Sequence, residues 1–220
     1  IEATEGGQVA RRHTAVVGKI DRQTPILRSR IHQINFNPFW TVPVSIIRRD
    51  IIGLVNDNPN YLDEYSIRIL DGSGNEVPQS AIDWSTEEAT NYTFRQDPGA
   101  QNSMGHVKIN FHNPHAVYLH DTPQQGLFAE NARFHSSGCV RVANVAEFVA
   151  WILRDSGYDI IDVNANFASG ERIDAAVSNP VPIFMTYFTA WANRNGVVSF
   201  RDDVYEYDAQ GKVDFPEISA

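Results

Sequence analysis

The stretch from Val107 to Gly157 constrains this chain more than any other, because it reads as strand, turn, strand, loop and helix within one short span. Val107-Lys108-Ile109-Asn110-Phe111 alternates apolar and polar side chains, and Ala116 to Leu119 is a second extended run, so the two are expected to pair as a hairpin. Asp121-Thr122-Pro123 stops the second strand, since proline offers no ladder N–H and restricts the residue before it. His120 therefore falls at a strand end. Farther on, Asn144 and Glu147 have capping-box spacing, and Val145, Phe148, Val149, Ile152 and Leu153 recur at helical period until Gly157 closes the helix. Between strand and helix lies His135-Ser136-Ser137-Gly138-Cys139-Val140-Arg141, which sets the single cysteine of the chain in a tight loop.

A lone thiol makes no internal disulfide; it either packs as a small hydrophobe or reacts as a thiolate. The small polar neighbours of Cys139 point toward reaction. A strand-end base, a glycine-containing turn and a backing helix are what thiol acyl transfer needs, because the base must reach the sulfur and N–H groups must face a developing oxyanion. On that reading Cys139 is the nucleophile and His120 its base, with His135 the competing histidine. Backbone N–H groups at Gly138 and Cys139, within the turn that includes Ser137, would bind the oxyanion together with the Tyr118 hydroxyl. Asp121 is a candidate to orient His120 through its carboxylate. Arg141 is the fixed cation, holding either a substrate carboxylate or the loop itself.

Upstream, residues 1 to 12 are polar and are expected to form a loose end, followed by a first strand from Thr14 to Gly18. Arg22-Gln23-Thr24-Pro25 reads as a turn into a second extended run through Ile31. Phe36, Phe39 and Trp40 are expected in a core or a groove wall, and Ser45 is expected to cap a helix with Ile47, Ile51, Leu54 and Val55 on one face. From Gly53 to Gly105 nine carboxylates face only two arginines, a net −7 of the −9 carried by the chain, so this segment reads as inserted into the domain. Within it Tyr65 to Leu70 is a strand before the Asp71-Gly72-Ser73-Gly74 turn, and Pro78 to Trp84 a short helix. The segment is either a solvated excursion or a lid in which Trp84, Tyr92 and Phe94 close over a bound peptide. Toward the end, Ser169 to Ala176 is read as a short helix, Pro182 to Trp191 as a long buried strand, and Asn195-Gly196 as the turn to a returning strand at Val197 to Phe200.

Strands dominate and helices occur without a βαβ rhythm, so the expected fold is mainly β with helices, α+β, in a single domain over 1–220 with the insert at 53–105. The net charge of −9, with no basic cluster, argues against a nucleic-acid partner. No run reaches the length of a membrane span, and Ile1-Glu2-Ala3-Thr4-Glu5 has neither basic nor apolar signal character, so the chain reads as mature or excised. His112 and His115 flank the hairpin turn without a second ligand cluster, so no metal is expected.

At these residues the sequence resembles the L,D-transpeptidases of bacterial cell walls, the YkuD-type catalytic domain. The family pattern is a histidine, a spacer, then Ser/Thr-His-Gly-Cys and an apolar residue, usually followed by Arg or Asn. Here His120 and Cys139 are nineteen residues apart, Ser136 takes the Ser/Thr position, Gly138 precedes the cysteine and Val140-Arg141 follow it. Ser137 stands where many members have His, and Ser-Ser-Gly-Cys-Val-Arg with Tyr-Leu-His-Asp-Thr-Pro is similar to the large, YcbB-like branch. Further similarity runs through Thr14 to Gly18, Thr24-Pro25, Asn37 to Pro43 and Arg201 to Tyr205. The resemblance implies paired curved sheets with a capping subdomain over the site, no cofactor, and a periplasmic or envelope location. It also implies a peptidoglycan tetrapeptide stem as donor, attacked at its diaminopimelate L-centre. The acceptor would be an amine of a second stem or of an envelope protein, or water, and a carbapenem would acylate the same sulfur.

Overall fold

Two blocks of alternating residues set the frame of the computed structural model, which describes residues 1–193 and 195–211. The first twelve residues are a hairpin rather than a loose end: β1 (Glu2–Glu5) and β2 (Gln8–Arg12) pair antiparallel around Gly6-Gly7. Both glycines take positive φ, 53° and 75°, the geometry that a tight hairpin turn demands and that Gly-Gly supplies without strain. After β3 (Ala15–Gly18), β4 (Leu27–Phe36) runs on past Ile31 to Phe36. A register shift between Ile31 and Gln33 swaps the buried parity of β4, so Leu27 and Ile31 on one side of it and Ile34 and Phe36 on the other all reach the core.

Strand β5 (Trp40–Thr41) leads into a continuous helical segment: α1 (Val44–Ile46), a π-helical turn (Ile47–Ile51) and α2 (Ile52–Asp57). Pro43 stands at its N-cap with no side-chain cap, so the expected Ser45 cap is not made. Ile47, Ile51 and Val55 are buried as expected, whereas Leu54 is exposed, because the wider i→i+5 turn resets the helical register ahead of it. There follow α3 (Tyr61–Glu64), β6 (Ile67–Leu70), a 3-10 turn at Gln79–Ala81 and β7 (Thr93–Gln96). Strands β5, β7 and β6 form a three-stranded sheet in that order. Its own apolar cluster runs from Val42 to Phe94 and includes Ile47, Ile51, Val55, Leu62, Ile67, Ile69 and Ile82. Gly53 lies within α2, so this small lobe takes in the helix that precedes it.

The chain then returns to the large sheet with β8 (Val107–Phe111), β9 (Leu119–His120), β10 (Phe134–Ser136) and β11 (Val140–Val142). Helix α4 (Val145–Leu153) buries Val145, Phe148, Val149, Ile152 and Leu153, the expected face. Its capping box is absent: Asn144 sits in left-handed backbone, φ 51°, where an N-cap needs extended geometry, and Glu147 pairs with Arg11. A capping box does occur at α5 (Ile160–Ser169), from Asp159 and Asp162. Gly170 ends that helix, and β12 (Ile173–Met185) occupies the place where Ser169 to Ala176 suggested helix. The alternation of Ile173, Ala175 and Val177 against β4 decides the matter, and as the sheet edge β12 leaves Phe184 62% exposed rather than buried. Strands β13 (Ala190–Ala192) and β14 (Val198–Phe200) pair about the expected Asn195-Gly196 turn, but stand largely exposed.

The large sheet has the order β10-β3-β11-β9-β8-β4-β12. Strand pairing is antiparallel except at β10–β3 and β9–β11. Its inward face holds Ile34, Phe36, Val107, Ile109, Leu119, Val140 and Val142, and is capped by α4 and by α5, which contributes Val163. The architecture is α+β with strands dominating, as the order of elements implied.

Candidate active site

The alternation that builds the core also builds the site on the other face. Val107, Ile109, Leu119, Val140 and Val142 point inward, so Lys108, His120 and Arg141 fall on the opposite side, while Tyr118 and Cys139 stand just ahead of β9 and β11, with Cys139 also packed against the main core. Register brings them together: Lys108 pairs with His120 across β8–β9, and His120 with Arg141 across β9–β11. The Val140 N–H donates to the Tyr118 carbonyl at 3.0 Å, which seats Cys139 beside Tyr118. The Tyr118 and His120 rings meet edge to face at 5.8 Å, and Lys108 Nζ stands 4.3 Å from the Tyr118 ring centroid.

Gly138, at φ 108°, adopts backbone that a side chain would strain, and this turns the chain sharply ahead of Cys139. Ser136 staples the turn: its hydroxyl donates to the Cys139 carbonyl at 2.5 Å and accepts the Gly138 N–H at 3.1 Å. The Gly138 N–H is thus engaged inside the turn. Ser137 is exposed and accepts from Arg22 Nη1 at 3.0 Å, while Arg22 also grips Asp50 of the small lobe at 2.6 and 3.0 Å. Beside this contact lies a cleft of about 280 Å³ bordered by Arg22, Arg49, His115, Ser137 and Gly138.

His120 is buried, and its Nδ1 lies 2.5 Å from the Asp121 carbonyl. A carbonyl only accepts, so Nδ1 carries the hydrogen and Nε2 is the lone-pair nitrogen of the neutral ring. Burial, then the charge of Arg141, pushes the imidazole down to about 4, against the opposing pull of Asp121 and the Ser103 carbonyl. The Asp121 carboxylate serves elsewhere, accepting from the His106 N–H at 3.0 Å and from Gln125 at 3.2 Å. Asp121 therefore orients the ring by its main-chain carbonyl, and not by the carboxylate that the sequence suggested.

Burial raises the Cys139 thiol, while the Tyr118 N–H and hydroxyl, Lys108 and Arg141 act in the opposite direction. The Tyr118 hydroxyl, beside the sulfur and the buried Trp40 indole N–H, is held strongly protonated by burial. Arg141 donates to Gln124 at 2.6 Å, and Lys108 rests on Tyr118; neither makes an ion pair among the described residues. Burial lowers both cations, and the sulfur of Cys139 is the group that raises them.

Other candidates sit apart. His135 turns to Glu130, 2.7 Å away. Phe94 is fully buried in the small-lobe cluster, with Trp84 against it edge to face at 6.1 Å and Tyr92 packed on the same cluster. Phe36 lies in the main core, Phe39 is half exposed beneath Arg95, and Trp40 packs onto the small lobe. His112 stacks on His32 at 4.1 Å, and among the described residues no cluster of His, Cys, Asp or Glu is placed to hold a metal. Sequence reading missed Lys108, although the apolar alternation of its strand already assigned it to the face away from the core.

The pattern of the L,D-transpeptidase catalytic domain (YkuD) matches residues 1–183, and the chain belongs to that family. It is also 35% identical over 196 residues to a Haemophilus influenzae protein whose name reads "Putative L,D-transpeptidase". That match covers 89% of this chain and 40% of the relative, so the chain spans well under half of the length of that protein.

Proposed function

We propose that this domain is a cysteine acyltransferase that acts on peptidoglycan stem peptides, with Cys139 as nucleophile and His120 as base. The observation that carries the reading is the pair of half-buried cations, Lys108 and Arg141, which act on the sulfur and have no carboxylate partner among the described residues, in a chain of net charge −9. Positive charge left uncompensated in a partly dry site favours a thiolate and the oxyanion that follows it.

Attack begins with the thiol proton passing to Nε2 of the neutral His120. The sulfur adds to the carbonyl of the third stem residue, the diaminopimelate L-centre, and the carbonyl electrons move onto oxygen. The Cys139 N–H and the Tyr118 hydroxyl are the donors proposed for that oxygen. Collapse breaks the bond to the terminal D-Ala, whose nitrogen leaves with the proton from His120, and a thioester remains. An amine then adds to the thioester while His120 takes its proton; expulsion of the thiolate leaves a 3→3 cross-link or an anchored envelope protein. Arg141 holds a donor carboxylate or the charge of the sulfur. The small lobe acts as a cover, with Trp40 and the Arg22–Asp50 pair as its links to the site. Action on peptidoglycan supports a location in the cell envelope.

Incubation with defined tetrapeptide stems, followed by mass analysis, tests the reading. Cross-linked dimers are expected. Tripeptides alone would make water the acceptor, and no reaction with folded protein would overturn the assignment in favour of a binding module.

A further inference from the structure

Tyr187 and residues 203 to 209 lie beyond the family-matched span, yet Tyr205 among them reaches the loop that holds the Cys139 turn. Tyr187 donates to Asp203 Oδ1 at 2.9 Å and accepts the Tyr205 N–H at 3.1 Å. The Asp203 carboxylate also takes the N–H groups of Tyr207 and Ala209, at 3.0 and 3.1 Å. This self-bonded platform drives Tyr205 inward, 4% exposed, stacked on Tyr187 and edge-on to Phe134.

From there a relay of hydrogen bonds runs to the nucleophile. The Tyr205 hydroxyl donates to the Gly18 carbonyl at 2.5 Å, and the Gly18 N–H donates to Thr24 Oγ1 at 2.9 Å. Thr24 Oγ1 donates to the Gly138 carbonyl at 2.9 Å, and Gly138 is joined through Ser136 to the Cys139 carbonyl. Gln23 closes the circuit by donating to the Tyr205 carbonyl at 3.3 Å. A tail that only covered apolar surface would be served by phenylalanine; here a buried hydroxyl is committed to the main chain of the loop that holds the turn.

We propose that Tyr205 is a positioning residue for the Cys139 turn, acting through the Gly18–Thr24 loop on the Gly138 carbonyl; this rests on Cys139 being the nucleophile. The test uses Tyr205→Phe, Thr24→Val, their double variant and Thr24→Ser. Three quantities are measured: thermal midpoint, acylation rate by a carbapenem, and the pH profile of Cys139 alkylation by iodoacetamide, which presumes no transpeptidation. A misplacement of about 1 Å costs roughly a hundredfold in rate, and loss of one relay bond is expected to cost about tenfold. Tyr205→Phe and Thr24→Val should each slow acylation by about that factor and move the alkylation profile to higher pH, because the sulfur shifts from the Tyr118 donors. The double variant should be no slower than either single one, since both cut one relay, and Thr24→Ser should behave as wild type. Wild-type rates and profile in Tyr205→Phe, multiplicative losses in the double variant, or losses that merely track the folded fraction would each overturn the proposal. Turnover persisting in Cys139→Ala would instead overturn the acyl-transfer reading, with the alkylation arm still deciding the role of Tyr205.

Discussion

The large sheet and the small lobe are built from the same branched and aromatic residues, but they dispose of their two faces differently. In the large sheet one face is core and the other carries Lys108, His120 and Arg141, with Tyr118 and Cys139 at the adjoining strand ends. In the small lobe the apolar groups turn inward, Phe94 most completely, and several acids fix local turns. Asp71 accepts the N–H groups of Ser73 and Asn75, and Asp83 takes both the N–H and the hydroxyl of Ser85. Those bonds lower both carboxyls, so the excess negative charge of the lobe goes in part into holding its own shape. The candidate site lies where a sheet face is left unclaimed by the main core; a lobe with a core of its own can influence that face only where the two touch.

The sharpest way to break this contrast is Cys139→Ala. With one cysteine in the chain, a carbapenem should add once to the wild type and not at all to the variant, read by intact mass. An adduct in the alanine protein would move the reactive group elsewhere. His120→Ala should come next, lowering turnover by about 10² to 10⁴, whereas His135→Ala, whose ring faces Glu130, should keep most of its activity. The His120 shift also has a stability signature. The folded ring takes a proton near 4 and the unfolded one near 6.5, so between those values the unfolded state binds more protons and stability falls as pH falls. Acid titration of the melting point should show this component in the wild type and lack it in His120→Ala.

Much of the site was legible because strand period and family pattern point to the same residues. The extended run before His120 and the helix from Val145 to Leu153 were readable, whereas β10 and β11, on either side of Cys139, were read as loop because each is only three residues long. Misreadings arose where tertiary pairing or backbone geometry overruled local pattern. Asn144 has capping spacing but left-handed backbone; Ser169 to Ala176 contains residues that suit either state, and pairing with β4 made its second half a strand. Lys108 was passed over because its meaning depends on Cys139 lying two strands away, a proximity that no local spacing encodes.

For the lobe, Phe94→Ala should destabilise by about 3 to 5 kcal/mol, the usual cost of emptying an aromatic site in a core. Because that core is separate, the loss should appear as earlier hydrogen exchange in the lobe and weaker use of long stem peptides, with acylation by a small β-lactam much less affected. Equal losses for both reagents would mean that the lobe shapes the catalytic face itself.

The smallest effect, and the finest discrimination, is expected from Arg141→Gln. Arg141 lowers the Cys139 thiol and also lowers His120, so removing its charge should raise both. The two ends of the activity profile should then move in the same direction: protonation of His120 sets in at higher pH on the acid side, and thiolate forms only at higher pH on the alkaline side. At neutral pH acylation should slow by about tenfold, equivalent to about 1.4 kcal/mol in the barrier. The side chain keeps an amide that can still bond Gln124, so the melting point should change little. Phe94→Ala, in contrast, should leave both ends of the profile in place while lowering stability. An Arg141→Gln protein with an unmoved profile but weaker peptide binding would assign the guanidinium to a substrate carboxylate alone, and would leave Lys108 as the cation that serves the sulfur.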